Sequence, residues 1–181
     1  MSFFLFKGNR KYIHGTDIAI YLEKYIQKPL KLFDLKITKQ IKTQPRILLV
    51  NSLKKRLKKS SATCKIKGKK NIFILFLETK NKVLNSYSYD ESLLANNYYI
   101  NKKRGKCLIT TSLHSVEILV SLTKYWHQKR VCKGEWMFTR LKLNKWFNKS
   151  NIKNIEIENF LNLNNKSTIS KVFENKKLIG E

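Results

Sequence analysis

The chain has 181 residues, 42% of them hydrophobic, and 38 Lys and Arg against 12 Asp and Glu, for a formal net charge of +26. That apolar content is enough to bury a core, as one domain or as two small halves, and implies a folded globular protein. No apolar run approaches the roughly eighteen residues of a membrane span, and the start Met1-Ser-Phe-Phe-Leu-Phe-Lys7 is too short for a secretory signal, so a soluble cytoplasmic protein without a membrane span is expected.

Taken in chain order, residues 3–6 read as a short strand and Gly8 to Gly15 as a loop. Thr16 is placed to cap a helix running to about Lys28, where Pro29 stops it. Ile18, Leu22, Tyr25 and Ile26 give that helix a broad buried face. Strands fit 30–37 and 46–50, separated by Thr43-Gln-Pro45, and 62–67 with 71–78 form a hairpin across Gly68-Lys69-Lys70. Strands at 97–101 and 106–111, joined at Lys103-Arg104-Gly105, lead into a second helix over 115–128. A strand at 135–143, a Lys/Asn-rich loop, and strands at 154–161 and 167–173 follow. A turn at Asn175-Lys-Lys177 then starts a short returning strand. Tyr98, Tyr99, Trp136 and Phe138 lie in strand-like contexts and are expected to pack in the core.

The chain repeats itself. His14-Gly-Thr-Asp17-Ile-Ala-Ile-Tyr-Leu22-Glu-Lys24-Tyr25 matches His114-Ser-Val-Glu117-Ile-Leu-Val-Ser-Leu122-Thr-Lys124-Tyr125 at an offset of one hundred residues. Leu30 to Ile37 then corresponds to Trp136 to Leu143, and Lys70 to Lys80 to Lys166 to Lys176, with drifts that loop insertions and deletions produce. Helix followed by strands, twice, is the expected plan, with repeats at 1–94 and 95–181 in one pseudo-dimeric unit, a monomer or a homodimer.

An apolar helix wrapped by an antiparallel sheet, occurring twice, resembles the hotdog fold in its double form, an α+β architecture. The second helix start, Ser112-Leu-His-Ser-Val-Glu117, is similar to that of hydroxyacyl-thioester dehydratases, and the two-repeat plan resembles proteins of the A-factor synthase and syringolide-biosynthesis type. The dehydratase Gly-His-Phe-Pro signature is absent, and His114 and Glu117 are only three residues apart. The resemblance implies an acyl-thioester enzyme, a dehydratase or hydratase first and a thioesterase as the alternative, acting on acyl-CoA or on an acidic acyl carrier protein.

His14, Asp17, His114 and Glu117 are the candidate catalytic residues. A helix N-terminus offers unpaired N–H groups to a carbonyl gaining negative charge. A carboxylate and an imidazole beside it supply two titratable groups for proton transfer. The two acids equally fit first-turn residues that favour the helix dipole, and the histidines fit loop packing. His127, at the far end of its helix, reads as a C-terminal dipole partner.

The charge has its own readings. Combined Lys, Asn and Ile richness is what an AT-biased genome imposes, with most lysines as solvated surface. The functional alternatives are a face for nucleic acid or for an acidic partner. The densest clusters are Lys54, Lys55, Arg56, Lys58 and Lys59, then Lys65 to Lys70, then Lys102, Lys103, Arg104 and Lys106, with no accompanying nucleic-acid motif. Cys64, Cys107 and Cys132 lack disulfide or metal spacing, so reduced thiols are expected and neither a metal nor a cofactor is.

Overall fold

The computed structural model describes residues 4–51, 59–90, 92–131, 136–164 and 167–181. In chain order the elements are β1 (Phe6–Lys7), α1 (Gly15–Leu22), β2 (Leu32–Ile37), β3 (Arg46–Val50), β4 (Ala62–Lys67), β5 (Asn71–Leu77), β6 (Ser86–Tyr87) and α2 (Ser92–Ala95). They continue as β7 (Tyr98–Ile100), β8 (Arg104–Thr110), α3 (Ser115–Arg130), β9 (Arg140–Leu143), β10 (Ile152–Leu163), β11 (Ser167–Glu174) and β12 (Lys177–Gly180). The architecture is mixed α+β, with its strands in antiparallel sheets apart from the short parallel pair of β1 with β6. Two compact units emerge, residues 1–90 with 138–145 and residues 91–137 with 146–181. The expected repeats divided at 94; here the strand β9 that follows the second helix belongs to the first unit.

In the first unit the sheet order is β3-β5-β4-β2-β9. Alternation decides its faces: Phe33, Leu35 and Ile37 of β2 stand opposite Ile66, Cys64 and Ala62 of β4, all buried. Ile74 and Phe76 of β5, with Leu141 and Leu143 of β9, extend the same layer. Helix α1 buries Ile18, Ala19 and Leu22, and Tyr21 reaches the rings of Phe4 and Phe76 at 5.2 and 6.4 Å. Each such aliphatic side chain taken from water stabilises the unit by about 1.5–3 kcal/mol before the entropy of ordering it is counted. The helix stops at Leu22, earlier than the expected Lys28: residues 23–25 tighten into a 3-10 turn and Ile26 turns extended ahead of Pro29.

In the second unit the order is β12-β11-β10-β8-β7. Helix α3 lies on this sheet through Val116, Ile118, Leu119, Leu122 and Trp126. Gly105 of β8 permits the approach, because a Cβ there would stand 3.2 Å from Ile157 and 3.3 Å from Leu122. The β11–β12 hairpin turns on Asn175 and Lys176, both at positive φ, which is the two-residue turn whose twist suits a hairpin.

Two similar strand stretches meet in the first unit. Asp34-Leu35-Lys36 and Arg140-Leu141-Lys142, the stretches related by the 106-residue offset, pair antiparallel as Asp34 with Lys142, Leu35 with Leu141 and Lys36 with Arg140. Exchanging the two similar stretches exchanges the two outer pairs and returns the Leu35–Leu141 pair to itself, so the pairing has a local two-fold here.

Candidate functional site

Both helices begin at equivalent residues, Gly15 and Ser115, each after an extended histidine: His14 at φ −73, ψ 144 and His114 at φ −71, ψ 139. The expected cap, Thr16, sits inside the helix. Asp17 and Glu117 occupy the first turns, where a negative charge is favoured.

The two starts differ in chemistry. In the second unit His114 Nδ1 accepts from the Val116 N–H at 3.2 Å, and Glu117 Oε2 accepts from the His114 N–H at 3.2 Å, a reciprocal capping box. The His114 ring also lies 6.1 Å from Trp146. In the first unit His14 Nδ1 is 2.8 Å from Thr16 Oγ1 and makes no side-chain cap. Asp17 instead takes a hydrogen bond from the Tyr87 hydroxyl at 2.8 Å and lies 3.8 Å from the ammonium of Lys7. Lys7 is fully buried, an unusual place for lysine without partners; its Nζ is 3.2 Å from Thr16 Oγ1 and 3.7 Å from the Tyr89 ring centroid. An ammonium and a phenol thus converge on a carboxylate at a helix start. The sequence marks Lys7 only as one cation in an apolar stretch, and nothing local links it to Tyr87 and Tyr89 eighty residues on.

His127 is buried inside the second unit, beyond the expected role at a helix end. Its Nδ1 donates to the Thr123 carbonyl at 2.6 Å, its Nε2 meets the Thr168 hydroxyl, and Trp136 stacks on it at 4.2 Å. Burial holds the imidazole below the usual histidine range, partly offset by the Thr123 hydrogen bond. Among the described residues no group of three or more His, Cys, Asp or Glu is placed to hold a metal ion. No described helix is long and apolar enough to cross a membrane.

The basic clusters fall in different places. Lys54, Lys55, Arg56 and Lys58 lie outside the described residues, and Lys59 is exposed. Lys102, Lys103 and Arg104 are exposed at the β7–β8 turn, where the Asn101 side chain accepts from the Lys103 and Arg104 N–H groups and Arg104 pairs with Glu158 at 2.9 Å.

A further group forms on the face of the first sheet away from its buried layer. Lys65 and Lys67 of β4, Lys36 of β2, and Arg140 and Lys142 of β9 share it with one acid, Asp34. Register rows run Val50–Phe73–Lys65–Asp34–Lys142 across five strands. Asp34 holds Arg140 through both carboxylate oxygens, at 2.9 and 3.1 Å. Lys36 stands directly opposite Arg140, a like-charge pair that works against the sheet. Five cations against one acid leave this block at +4, and Arg46 of β3 stands exposed on the same face. The matching face of the second sheet is near balance, with Arg104, Lys106 and Lys171 beside Glu156 and Glu158, and Lys106 pairing with Glu156 at 3.3 Å. The signal that finds the block in sequence is charge alternation: Lys65-x-Lys67, Asp34-x-Lys36 and Arg140-x-Lys142 each put charge on the face opposite a buried row. No family model, no curated protein and no solved structure matches the chain.

Proposed function

We propose that this chain is a nucleic-acid-binding protein that holds phosphates with the cationic sheet face of its first unit. The observation that carries this reading is the difference in charge count between the two sheets: a block on one face gathers five cations around a single acid, whereas the matching face of the other sets Arg104, Lys106 and Lys171 against Glu156 and Glu158. Genome bias raises lysine everywhere, but it does not sort an excess of cations over acids onto one face. A like-charge pair such as Lys36 and Arg140 lowers stability by some tenths of a kcal/mol and is accounted for by a polyanion that bridges it. The test is titration of a fluorescein-labelled nucleic acid at 0.05 M to 0.3 M salt. Binding whose affinity falls steeply and log-linearly with salt is expected. No binding at 0.05 M salt would sink the reading.

A second reading, the acyl-thioester enzyme of double-hotdog type, is favoured by one feature, the Lys7–Asp17–Tyr87 group at the start of α1. A buried ammonium, a phenol and helix N–H groups supply the electrophilic side of thioester chemistry, with Asp17 as acid or base. Support for the fold comes from an apolar helix lying on an antiparallel sheet in each unit. In this reading His114 and Glu117 are a helix cap rather than the working pair. Enoyl- and 3-hydroxyacyl-thioesters, on coenzyme A and on a carrier protein, should then turn over, and Asp17→Asn should abolish the turnover while Glu117→Gln leaves it.

A further inference from the structure

Resting on the nucleic-acid reading, we infer that the occupant of this face is a single strand, lying across β5, β4, β2 and β9 with its phosphates on Lys65, Lys67, Lys36 and Lys142 and a base stacked on Phe73.

Among the described strand residues of this face, Phe73 is the aromatic one. It follows Lys65 in the same register row, half-buried on β5, and Lys65 Nζ stands 5.6 Å from its ring centroid. A cation and a π-face that close together fit the phosphate and the base of one nucleotide. Duplex bases are already stacked and paired and present only their backbone and groove edges, so an aromatic platform rewards unpaired bases. Beyond Phe73 the row continues through Lys65 and Asp34 to Lys142, and the next positions add Lys67 on one side and Lys36 with Arg140 on the other. Neighbouring strands are about 4.8 Å apart and alternate residues along a strand about 6.7 Å apart, so Lys65 with Lys67, and Lys36 and Lys142 on either side of Asp34, lie within the span of successive nucleotides, while Thr63 and Leu75 of the same face are buried and lie outside the path. Asp34, held by Arg140, excludes phosphate from the centre and directs the strand along the lysines on either side.

Anisotropy titrations with a labelled twelve-nucleotide oligouridylate and with a duplex of equal length test this on the full chain. The single strand should bind at least tenfold tighter than the duplex. Phe73→Leu, which keeps an apolar side chain but removes the ring, should weaken single-strand binding about tenfold. Phe73→Tyr should restore it. Lys36→Ala with Lys142→Ala should lower the slope of log affinity against log salt by about 0.7 per cation removed. A circular-dichroism melt of each variant guards against misfolding, and the tyrosine variant keeps the test sharp if the leucine variant unfolds. Duplex binding as tight as single-strand binding, with Phe73→Leu neutral, would overturn the inference while leaving the nucleic-acid reading in place. Loss of affinity on Lys102→Ala/Lys103→Ala instead of the sheet variants would move the site to the β7–β8 turn and also overturn it. Binding of an acidic carrier protein in place of either nucleic acid would overturn both.

Discussion

His127 shows how a single side chain couples the fold to pH. Its proton sits on Nδ1, toward the Thr123 carbonyl, and the ring is packed against Trp126 and Trp136. Because its folded-state affinity for a second proton is lowered by burial, the unfolded chain is protonated first as pH falls. Stability is therefore intact above the ordinary histidine value of about 6.5 and is lost as pH drops below it. The melting temperature should fall between pH 7 and pH 5, and His127→Gln should flatten that segment; an unchanged slope in the variant would assign it to other groups. At Gly15 the constraint is space. A Cβ there would stand 2.5 Å from Phe138 and 2.6 Å from Ile37, so Gly15→Ala should destabilise by about 1–3 kcal/mol in a denaturant melt. The equivalent residue in the second copy is Ser115, which carries a Cβ. Burial likewise pushes the Cys107 thiol up to about 11 and Cys64 higher still, so both should resist alkylation at pH 8 until the protein unfolds.

At the scale of elements, the two helix starts are similar in sequence and unequal in work. The His114 ring accepts from a backbone N–H of the first turn of α3, whereas the His14 ring meets the Thr16 hydroxyl and makes no cap bond, so His114→Ala should cost about 1 kcal/mol and His14→Ala less, read from urea unfolding. Glu117→Gln retains an oxygen that accepts from the His114 N–H and should cost under about 0.5 kcal/mol. The β2–β9 pair sets function against stability. Lys36→Glu would turn its like-charge pair with Arg140 into an opposite-charge pair, raising stability by about 0.2–1 kcal/mol while weakening nucleic-acid binding. A variant that melts lower and binds equally well would contradict both halves of that expectation.

For the molecule as a whole, +26 on 181 residues is a store of self-repulsion. Salt shortens the range of that repulsion from about 30 Å at 0.01 M to about 10 Å at 0.1 M, so the melting temperature should rise over that interval. A bound polyanion relieves the same repulsion and stabilises the folded state by mass action, so a saturating oligonucleotide should raise it further at low salt. A melting temperature indifferent to both would mean the charges are too well solvated to matter.

Most elements were legible because their signals are local. Apolar alternation marked β3 and β4 to the residue, the 67–71 hairpin followed from Gly68, and the terminal turn from Asn175 to Lys177. The second helix emerged from its apolar period and begins at Ser115 as expected, whereas the first, expected to be capped by Thr16, begins at Gly15 after His14. What local chemistry left open was every relation between distant segments. It marked Leu35-Lys36 and Leu141-Lys142 as copies, but their pairing across 106 residues depends on which edge of a sheet was left open, a property of the folded neighbours. Thr16 resembled a cap by type, yet His14 takes the extended position and Thr16 lies inside the helix, 3.2 Å from the ammonium of the buried Lys7. The sharing of Asp17 between Lys7 and Tyr87, the burial of His127 against Thr168, and the gathering of cations from three strands onto one face likewise arise only when tertiary packing brings those strands together. Composition set how much charge the molecule carries; the order of strands in the sheet decided where it is concentrated, because side-chain direction alternates along a strand but neighbours are chosen by packing.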